Sequence, residues 1–559
     1  MAASRSGAEI LVDALVTNGL TTAFGVPGES YLAVLEAMRA RAFDFVVCRQ
    51  EGGAAMAADA FGKLTGKPGL CFATRGPGAT NAASGVHVAS QDSTPLILFV
   101  GQVERGFRHR EAFQEIDLAA LFGAMAKWVV EIDDPARIPE LVARAIRVAC
   151  QGRPGPVVIG LPEDMLAESA DVADAAPVTP AETWPGLADI AQLQKLLWAA
   201  ERPVALVGGG RWSEAATLRL ARFAERFALP VAVTFRRQML FSADHRCYAG
   251  DLGIAPNPKL LERIGDADLV LLIGGRLGEI PSQSYGLFGV PTPGRRLVHV
   301  HADAEELGRV YQPALAIHAS PAAFAAALEA VQPPQTLTWE AGTATARADY
   351  LSWSGVVPAH PGAVQMGEVV AALNALPVDA IVTNGAGNYS SWFHRFQRVR
   401  TYGSQLAPIS GSMGYGLPAA IAAKRRFSDR EVVALAGDGC FLMTGQELAT
   451  AVQYDLPVIA LVFDNGQYGT IRMHQERAFP GLPFGTALRN PDFAAYARAF
   501  GAEGFSVTER GAFAPAFAAA RACGRPAVIH VTLDPEAITP TTTIAQIRAA
   551  ASKSRVSSS

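Results

Sequence analysis

Val432-Val-Ala-Leu-Ala-Gly-Asp-Gly439 and Val458-Ile-Ala-Leu-Val-Phe-Asp-Asn465 decide how this chain is read. Each is a short apolar run that stops abruptly at a polar oxygen-bearing side chain. Such runs suit strands buried on both faces of a parallel sheet. Between them Thr444–Tyr454 carries a helical pattern, the crossover that parallel neighbours require. Strands joined this way end on the same sheet edge, so Asp438 and Asn465 can meet although 27 positions separate them.

A hard divalent cation takes oxygen ligands in octahedral geometry, partly from protein and partly from a bound phosphate. Asp438 and the Asn465 amide offer two such oxygens, and a backbone carbonyl such as that of Gln467 offers a third. Gly437 and Gly439 let the main chain approach a diphosphate, whose charge suits the N-terminus of the following helix. A Gly-Asp-Gly alone is often an ordinary turn. The strand–helix–strand spacing and the terminal Asn set this one apart.

Outward from this anchor the same theme recurs. The first block has strand candidates at Phe43–Cys48, Gly69–Ala73, Pro95–Val100 and Pro156–Gly160, with helix patterns at Gly52–Lys63 and Pro139–Ala149. The second has Pro203–Gly210, Leu229–Thr234, Ala267–Gly274 and Arg296–His301; the third adds Ala380–Thr383 and Ala527–Val531. The expected fold is α/β: three consecutive doubly wound parallel-sheet domains. Expected bounds are 1–170, 188–332 and 360–545, with 546–559 a flexible tail, Ser552–Ser559 above all. Ala170–Pro185 and Gln332–His360 read as linkers.

With 559 residues, half of them apolar, 18% charged and a net charge of −4, the chain offers no attraction for nucleic acid or an anionic membrane. No apolar run approaches the roughly 20 residues that span a bilayer. The N-terminus shows no secretory signal pattern. Cys48, Cys71, Cys150, Cys247, Cys440 and Cys523 form no CxxC, which argues against both a zinc site and a disulfide framework and fits a reducing, cytoplasmic setting.

The Gly437–Asn465 anchor resembles the signature of thiamine-diphosphate enzymes, in which GDG is followed at some distance by Asn-Asn; here the first Asn is Asp464. Cys48-Arg-Gln-Glu51-Gly-Gly-Ala-Ala55 resembles the family segment carrying the glutamate that activates the aminopyrimidine ring. Read without the family, Glu51 is an acid in a helix's first turn, where the dipole favours it. Phe24-Gly-Val-Pro27-Gly28, Gly76-Pro-Gly-Ala-Thr-Asn81, Gly101-Gln-Val103, Ala112-Phe113-Gln114-Glu115 and Gly411-Ser-Met413-Gly-Tyr-Gly-Leu-Pro-Ala-Ala420 are similar to the acetolactate synthase group. The resemblance runs from about Gly7 to Pro540. It implies pyrimidine-binding, central Rossmann-like and diphosphate-binding domains in that order.

It further implies that Pro27, Gly28, Glu51, Asn81, Asn388, Tyr389, Gly411, Met413, Gly437, Asp438, Gly439, Cys440, Asn465, Gln467, Tyr468 and Gly469 contact thiamine diphosphate. Asp438, Asn465 and Gln467 are the implied Mg2+ ligands, with Glu51, Gln114 and Met413 as catalytic residues. Met413 would wedge beneath the cofactor, and the Gly411 carbonyl would orient its amino group. Asn388-Tyr389 stands where synthases carry Gln-His.

Elsewhere the pattern departs. The central block keeps Gly208-Gly209-Gly210, which could admit FAD or ADP, but the family's RFDDR reads Arg276-Leu-Gly-Glu-Ile280. PKD reads Pro162-Glu163-Asp164, a charge reversal. Arg75 replaces a small residue and, with Phe113 and Gln114, is an expected substrate contact, since a guanidinium can hold a carboxylate with two hydrogen bonds. No Trp follows Trp392, so the acceptor pocket differs from that of a synthase. His109, His474 and Glu476 carry no motif that places them.

The expected activity is decarboxylation of a 2-oxo acid and carboligation of the resulting enamine to a second carbonyl, in a homodimer or homotetramer with its site at the dimer interface. Simple decarboxylation or another C–C lyase reaction, and an inactive cofactor-binding partner subunit, are the alternatives. A nucleotide-dependent oxidoreductase lacks its GxGxxG and ribose acid.

Overall fold

A computed structural model describes residues 4–558. The chain divides into two compact units. The first comprises residues up to 182 with 408–412 and 421–426, and the second the remainder.

The first unit holds a six-stranded parallel sheet: β1 Thr22–Gly25, β2 Asp44–Val47, β3 Gly69–Ala73, β4 Leu96–Gln102, β5 Trp128–Glu131 and β6 Pro156–Pro162, in the order β2-β1-β3-β4-β6-β5. Strand order reverses between β1 and β3, which opens a crevice at the carboxyl edge. Glu51–Thr65 and Gly76–Asp92 are helices built from small residues, and this is why they approach so closely. A Cβ on Gly85 would stand 2.4 Å from that of Ala55, and one on Gly69 only 1.8 Å from the Ala58 carbonyl.

The second unit carries two further parallel sheets. The central one contains β7 Pro203–Val207, β8 Val231–Thr234, β9 Tyr248–Leu252, β10 Leu269–Ile273, β11 Arg296–His301 and β12 Leu315–His318, in the order β9-β8-β7-β10-β11-β12. Ala205, Val207, Leu269, Leu271 and Ile273 enter one core, while Val204, Leu206, Val270 and Leu272 enter another. Alternate residues thus bury on opposite faces, each large one contributing about 1.5–3 kcal/mol.

The third sheet runs β14-β13-β15-β16-β18-β17, with β13 Ile381–Asn384, β14 Gln405–Leu406, β15 Val432–Gly437, β16 Val458–Asp464, β17 Glu503–Val507 and β18 Ala527–Thr532. It does not stand apart from the central sheet. Arg236 Nη2 donates to the Gly385 carbonyl at 2.9 Å, and Gln405 Nε2 to Gln238 Oε1 at 2.7 Å.

Three expectations need correction. The second linker contains the helix Glu340–Ser354, anchored by Trp339 Nε1 and Thr343 Oγ1 on the Phe227 and Ala228 carbonyls. The crossover helix expected at Thr444–Tyr454 opens as a 3-10 turn at Gly445–Glu447 before Leu448–Gln453, and a short unexpected helix, Asp438–Phe441, precedes it. The expected tail is the helix Ile544–Ser558, with Ile544 and Ile547 buried against Met473 and Ile538; Ser559 lies outside the described residues. Among the described residues no helix is long and apolar enough to cross a membrane.

Candidate active site

In the first unit, the loops after β1, β2 and β3 meet at the carboxyl edge. Glu51 is the first residue of its helix, whose N-cap Gln50 accepts from the Gly53 amide. Its side chain is buried, and Asn81 Nδ2 donates to Oε2 at 2.9 Å. A Cβ on Gly78 would lie 3.2 Å from Oε1, and one on Gly28 would lie 2.7 Å from Thr74 Cβ. The glycines therefore keep the carboxylate and its surroundings clear. Pro27 sits beside Gly28 in the loop after β1.

In the second unit, β15 and β16 are adjacent and parallel, with Gly437 opposite Phe463. Asp438 and Asp464-Asn465 therefore leave the sheet side by side, as the spacing requires. Asp438 Oδ1 accepts from the Gly439 amide at 2.9 Å and Oδ2 from Asn490 Nδ2 at 2.7 Å. Asn490 also donates to Asp464 Oδ1 at 2.8 Å, and His530 Nε2 lies 2.9 Å from Asp464 Oδ2. Burial, and then the neighbouring Asp464 carboxylate, push the Asp438 carboxyl above its ordinary range. Hydrogen bonds from His530 and Asn490 hold Asp464 below it, against the opposing effect of burial.

The glycines here are steric necessities. A Cβ on Gly439 would stand 2.6 Å from the Tyr468 ring, and one on Gly469 would stand 3.1 Å from Asn465 Nδ2. Gln467 faces Ala487 across an isolated bridge, and the Tyr468 amide donates to the Thr486 carbonyl. The Gly414–Gly416 turn tucks between β13 and β15: Thr383 Oγ1 donates to the Gly416 carbonyl, and Thr444 Oγ1 to that of Gly414. Met413, next in the chain, is half-buried. Gly411, in the first unit, has a left-handed φ of 69° with open space where a Cβ would project.

Models of the thiamine pyrophosphate enzyme N-terminal TPP binding domain, central domain and C-terminal TPP binding domain match residues 5–121, 190–328 and 385–531. An acetolactate synthase large subunit of Parasynechococcus marenigrum is 33% identical, over 94% of this chain and 87% of its own. The acetolactate synthase isozyme 2 large subunit of Escherichia coli is 31% identical, over 95% and 96%. The chain belongs to the acetolactate synthase-like thiamine-diphosphate enzymes.

The third-sheet donors suit what such an enzyme carries. Among the described residues no cluster of three His, Cys, Asp or Glu could cage a metal unaided. One buried carboxylate, one amide and a backbone carbonyl suit a hard cation that takes its remaining oxygens from a diphosphate. Asp438 is buried, and the bonds it accepts come from neutral amides, so a cation would relieve it.

Other expected contacts are placed differently. The Tyr389 hydroxyl is buried, donates to the Leu435 carbonyl at 3.0 Å and accepts from the Gly385 amide at 3.1 Å. It props the loop and is not available to a phosphate. Asn388 Oδ1 accepts from Thr470 Oγ1 at 2.7 Å, tying that loop to the helix Gly469–Ala478. Cys440 is buried, and its Sγ accepts from the Gly414 amide at 3.3 Å, so only its main chain could serve a ligand.

Arg75 is buried against two carboxylates, Glu29 at 3.1 Å and Glu163 at 3.4 Å, rather than open to a substrate carboxylate. Gln114 is half-buried with a left-handed φ of 63°, and Phe113 is largely exposed. His109, with φ 64°, lies in the same loop, whereas His474 and Glu476 belong to the helix Gly469–Ala478. The central Gly208 and Gly209 are accounted for by packing. A Cβ on Gly208 would lie 2.2 Å from Thr234 Oγ1, and one on Gly209 1.8 Å from the Gly274 carbonyl.

Asn490 and His530 escaped the sequence reading. The only local signal was Asn490-Pro491-Asp492, a turn followed by a helix cap, which says nothing of the metal site.

Proposed function

We propose that this enzyme uses thiamine diphosphate and Mg2+ to decarboxylate a 2-oxo acid and to join the remaining acyl unit to a second carbonyl compound. The observation that carries the reading is the emergence of Asp438 and Asn465 side by side from adjacent parallel strands. Asp438, the Asn465 amide and the Gln467 carbonyl would hold Mg2+. Gly437, Gly439, Tyr468, Gly469, Asn388 and the Cys440 main chain would line the diphosphate. Pro27, Gly28, Glu51 and Asn81 would receive the aminopyrimidine, with Met413 and Gly411 setting its approach.

Bound thiamine diphosphate supplies a carbon nucleophile and a sink for the electron pair left when CO2 departs. The remaining work is the chain's own. Glu51 holds and returns a proton at Oε1, because Asn81 occupies Oε2 and Gly78 leaves Oε1 room. Phe113 supplies an apolar wall, and the Gln114 carboxamide binds the incoming carbonyl, favouring ligation over simple protonation. In this reading the working form is a homodimer or homotetramer, Glu51 of one chain serving a cofactor anchored on another. The free thiols fit the cytoplasm. No nucleotide on the central sheet enters this reading, since packing already explains its glycines.

A panel of 2-oxo acids, with and without aldehyde acceptors, tests the proposal by CO2 release and product analysis. Ligated product that depends on acceptor, cofactor and Mg2+ supports it. CO2 release that yields only the free aldehyde refutes the ligase assignment, and no CO2 release from any acid refutes the whole.

A further inference from the structure

The two departures from the synthase pattern in the first unit, Arg75 for a small residue and Glu163 for a lysine, touch each other. Arg75 follows β3, and its guanidinium gathers three other loops of the same sheet edge. Nη2 reaches Glu29 Oε1 after β1, Nη1 reaches Glu163 Oε2 after β6, and Nε donates to the Phe113 carbonyl in the loop after β4 at 3.1 Å. Beside it the Gly76 amide donates to the Gln114 carbonyl at 2.9 Å, and a Cβ on Gly76 would stand 2.8 Å from that oxygen.

The loop so held is strained. His109, Glu111 and Gln114 all have left-handed φ, of 64°, 54° and 63°, although none is glycine. Glu115 organises the loop internally, accepting from the amides of His109 and Ala112 and from Arg108 Nε. None of these bonds attaches the loop to β3. The Arg75 Nε and Gly76 amide contacts do so, on the two residues expected at the substrate.

We propose that Arg75, neutralised by Glu163 and Glu29, is the positioning residue of the Phe113–Gln114 turn, fixing the left-handed backbone that aims the Gln114 carboxamide. Its consequence for product choice rests on the carboligase reading above; its effect on the loop does not. A charge-assisted bond to a carbonyl restrains a strained segment more firmly than a neutral one. The paired carboxylates hold the guanidinium in place, so Arg75 and Glu163 act as a unit that a synthase with a small residue and a lysine at these positions would lack.

Hydrogen exchange over residues 103–117 and the ratio of ligated product to CO2 released are measured for Arg75→Ala, Arg75→Lys, Glu163→Gln, Gln114→Ala and the double variant Arg75→Ala/Gln114→Ala. Loss of the anchor should speed exchange in this segment about tenfold in Arg75→Ala. Glu163→Gln, in a half-exposed position that should not threaten folding, should speed it about threefold. Lysine keeps the charge but has no planar fork, so Arg75→Lys should behave like the alanine variant, whereas a purely electrostatic role would be rescued. The product ratio should fall about tenfold in Arg75→Ala, and the double variant should be no worse than Gln114→Ala alone.

Exchange within about twofold of the parent in both Arg75→Lys and Glu163→Gln overturns the proposal, as does additivity in the double variant. If the parent ligates nothing, the carboligase reading fails, and the exchange measurements still decide whether Arg75 docks the loop.

Discussion

Asn490 is the most informative residue to remove, because it bridges two carboxylates and was not visible as a site residue. Asn490→Ala deletes two hydrogen bonds to ionisable acceptors, 2.7 Å to Asp438 and 2.8 Å to Asp464. Bonds to charged groups are each worth about 1.5–3 kcal/mol in net terms. Asn490 is half-exposed, however, so water would recover part of this, and about 1.5–3 kcal/mol in total is the expected loss. That corresponds to a weakening of Mg2+ affinity of about tenfold to a hundredfold, the range expected when a partner that orients a metal ligand is lost. The assay is a Mg2+ titration at saturating thiamine diphosphate, followed by protein fluorescence, with circular dichroism to confirm the fold. An affinity unchanged within about threefold in a folded variant would show that Asp438 is not oriented by Asn490.

Burial raises the Asp251 carboxyl to about 7. Its folded-state value lies above the unfolded one, so its contribution to stability is intact in acid and is lost as pH rises through about 7. Asp251→Asn should therefore stabilise the protein by up to about 4 kcal/mol in urea unfolding above that pH, with little effect in acid; equal effects at both would contradict the assignment. Gly209→Ala should destabilise the second unit by more than about 3 kcal/mol, since its Cβ would meet the Gly274 carbonyl at 1.8 Å. Thermal melts should show that loss equally with and without FAD or ADP. Glu476 is buried and binds Arg472 at 2.5 Å and Arg548 at 2.8 Å. Glu476→Ala should cost about 3 kcal/mol and Arg548→Ala about 1 kcal/mol in denaturant melts, because only the first strands a buried charge.

Most interior strands were legible in the sequence because burial on both faces writes an unbroken apolar run. Gly69–Ala73 and Arg296–His301 coincide with the expectation residue for residue. Trp128–Glu131, Tyr248–Leu252, Leu315–His318, Gln405–Leu406 and Glu503–Val507, all sheet-edge strands, were missed, and so was the four-residue interior strand Thr22–Gly25. Such strands are short or mixed in polarity and leave only a weak pattern. The helix Ile544–Ser558 escaped because few apolar residues fix it, and part of its hold is the Glu476–Arg548 pair across a long sequence separation.

At the site, Asp438 and Asn465 could be singled out because turn chemistry and strand ends are local, whereas Glu51 needed the family resemblance as well. The partners of Tyr389, Arg75 and Asn490 could not be read, because they lie far away in sequence. The Tyr389 hydroxyl is spent on Leu435, the Arg75 guanidinium on Glu29 and Glu163, and the Asn490 amide on two strand ends. Position in the family pattern placed Tyr389 among the cofactor contacts and guanidinium chemistry placed Arg75 at a substrate carboxylate, while here both side chains bond to the protein itself.

The central claim is that the Glu51 carboxyl moves the proton that activates the cofactor. The direct measurement is hydrogen–deuterium exchange at C2 of bound thiamine diphosphate, by acid quench and proton NMR, in the parent and in Glu51→Gln. Exchange should fall by about 10²–10⁴-fold, while Mg2+–thiamine diphosphate affinity changes by less than about threefold. Exchange at the parent rate in Glu51→Gln, with cofactor bound, would contradict the account.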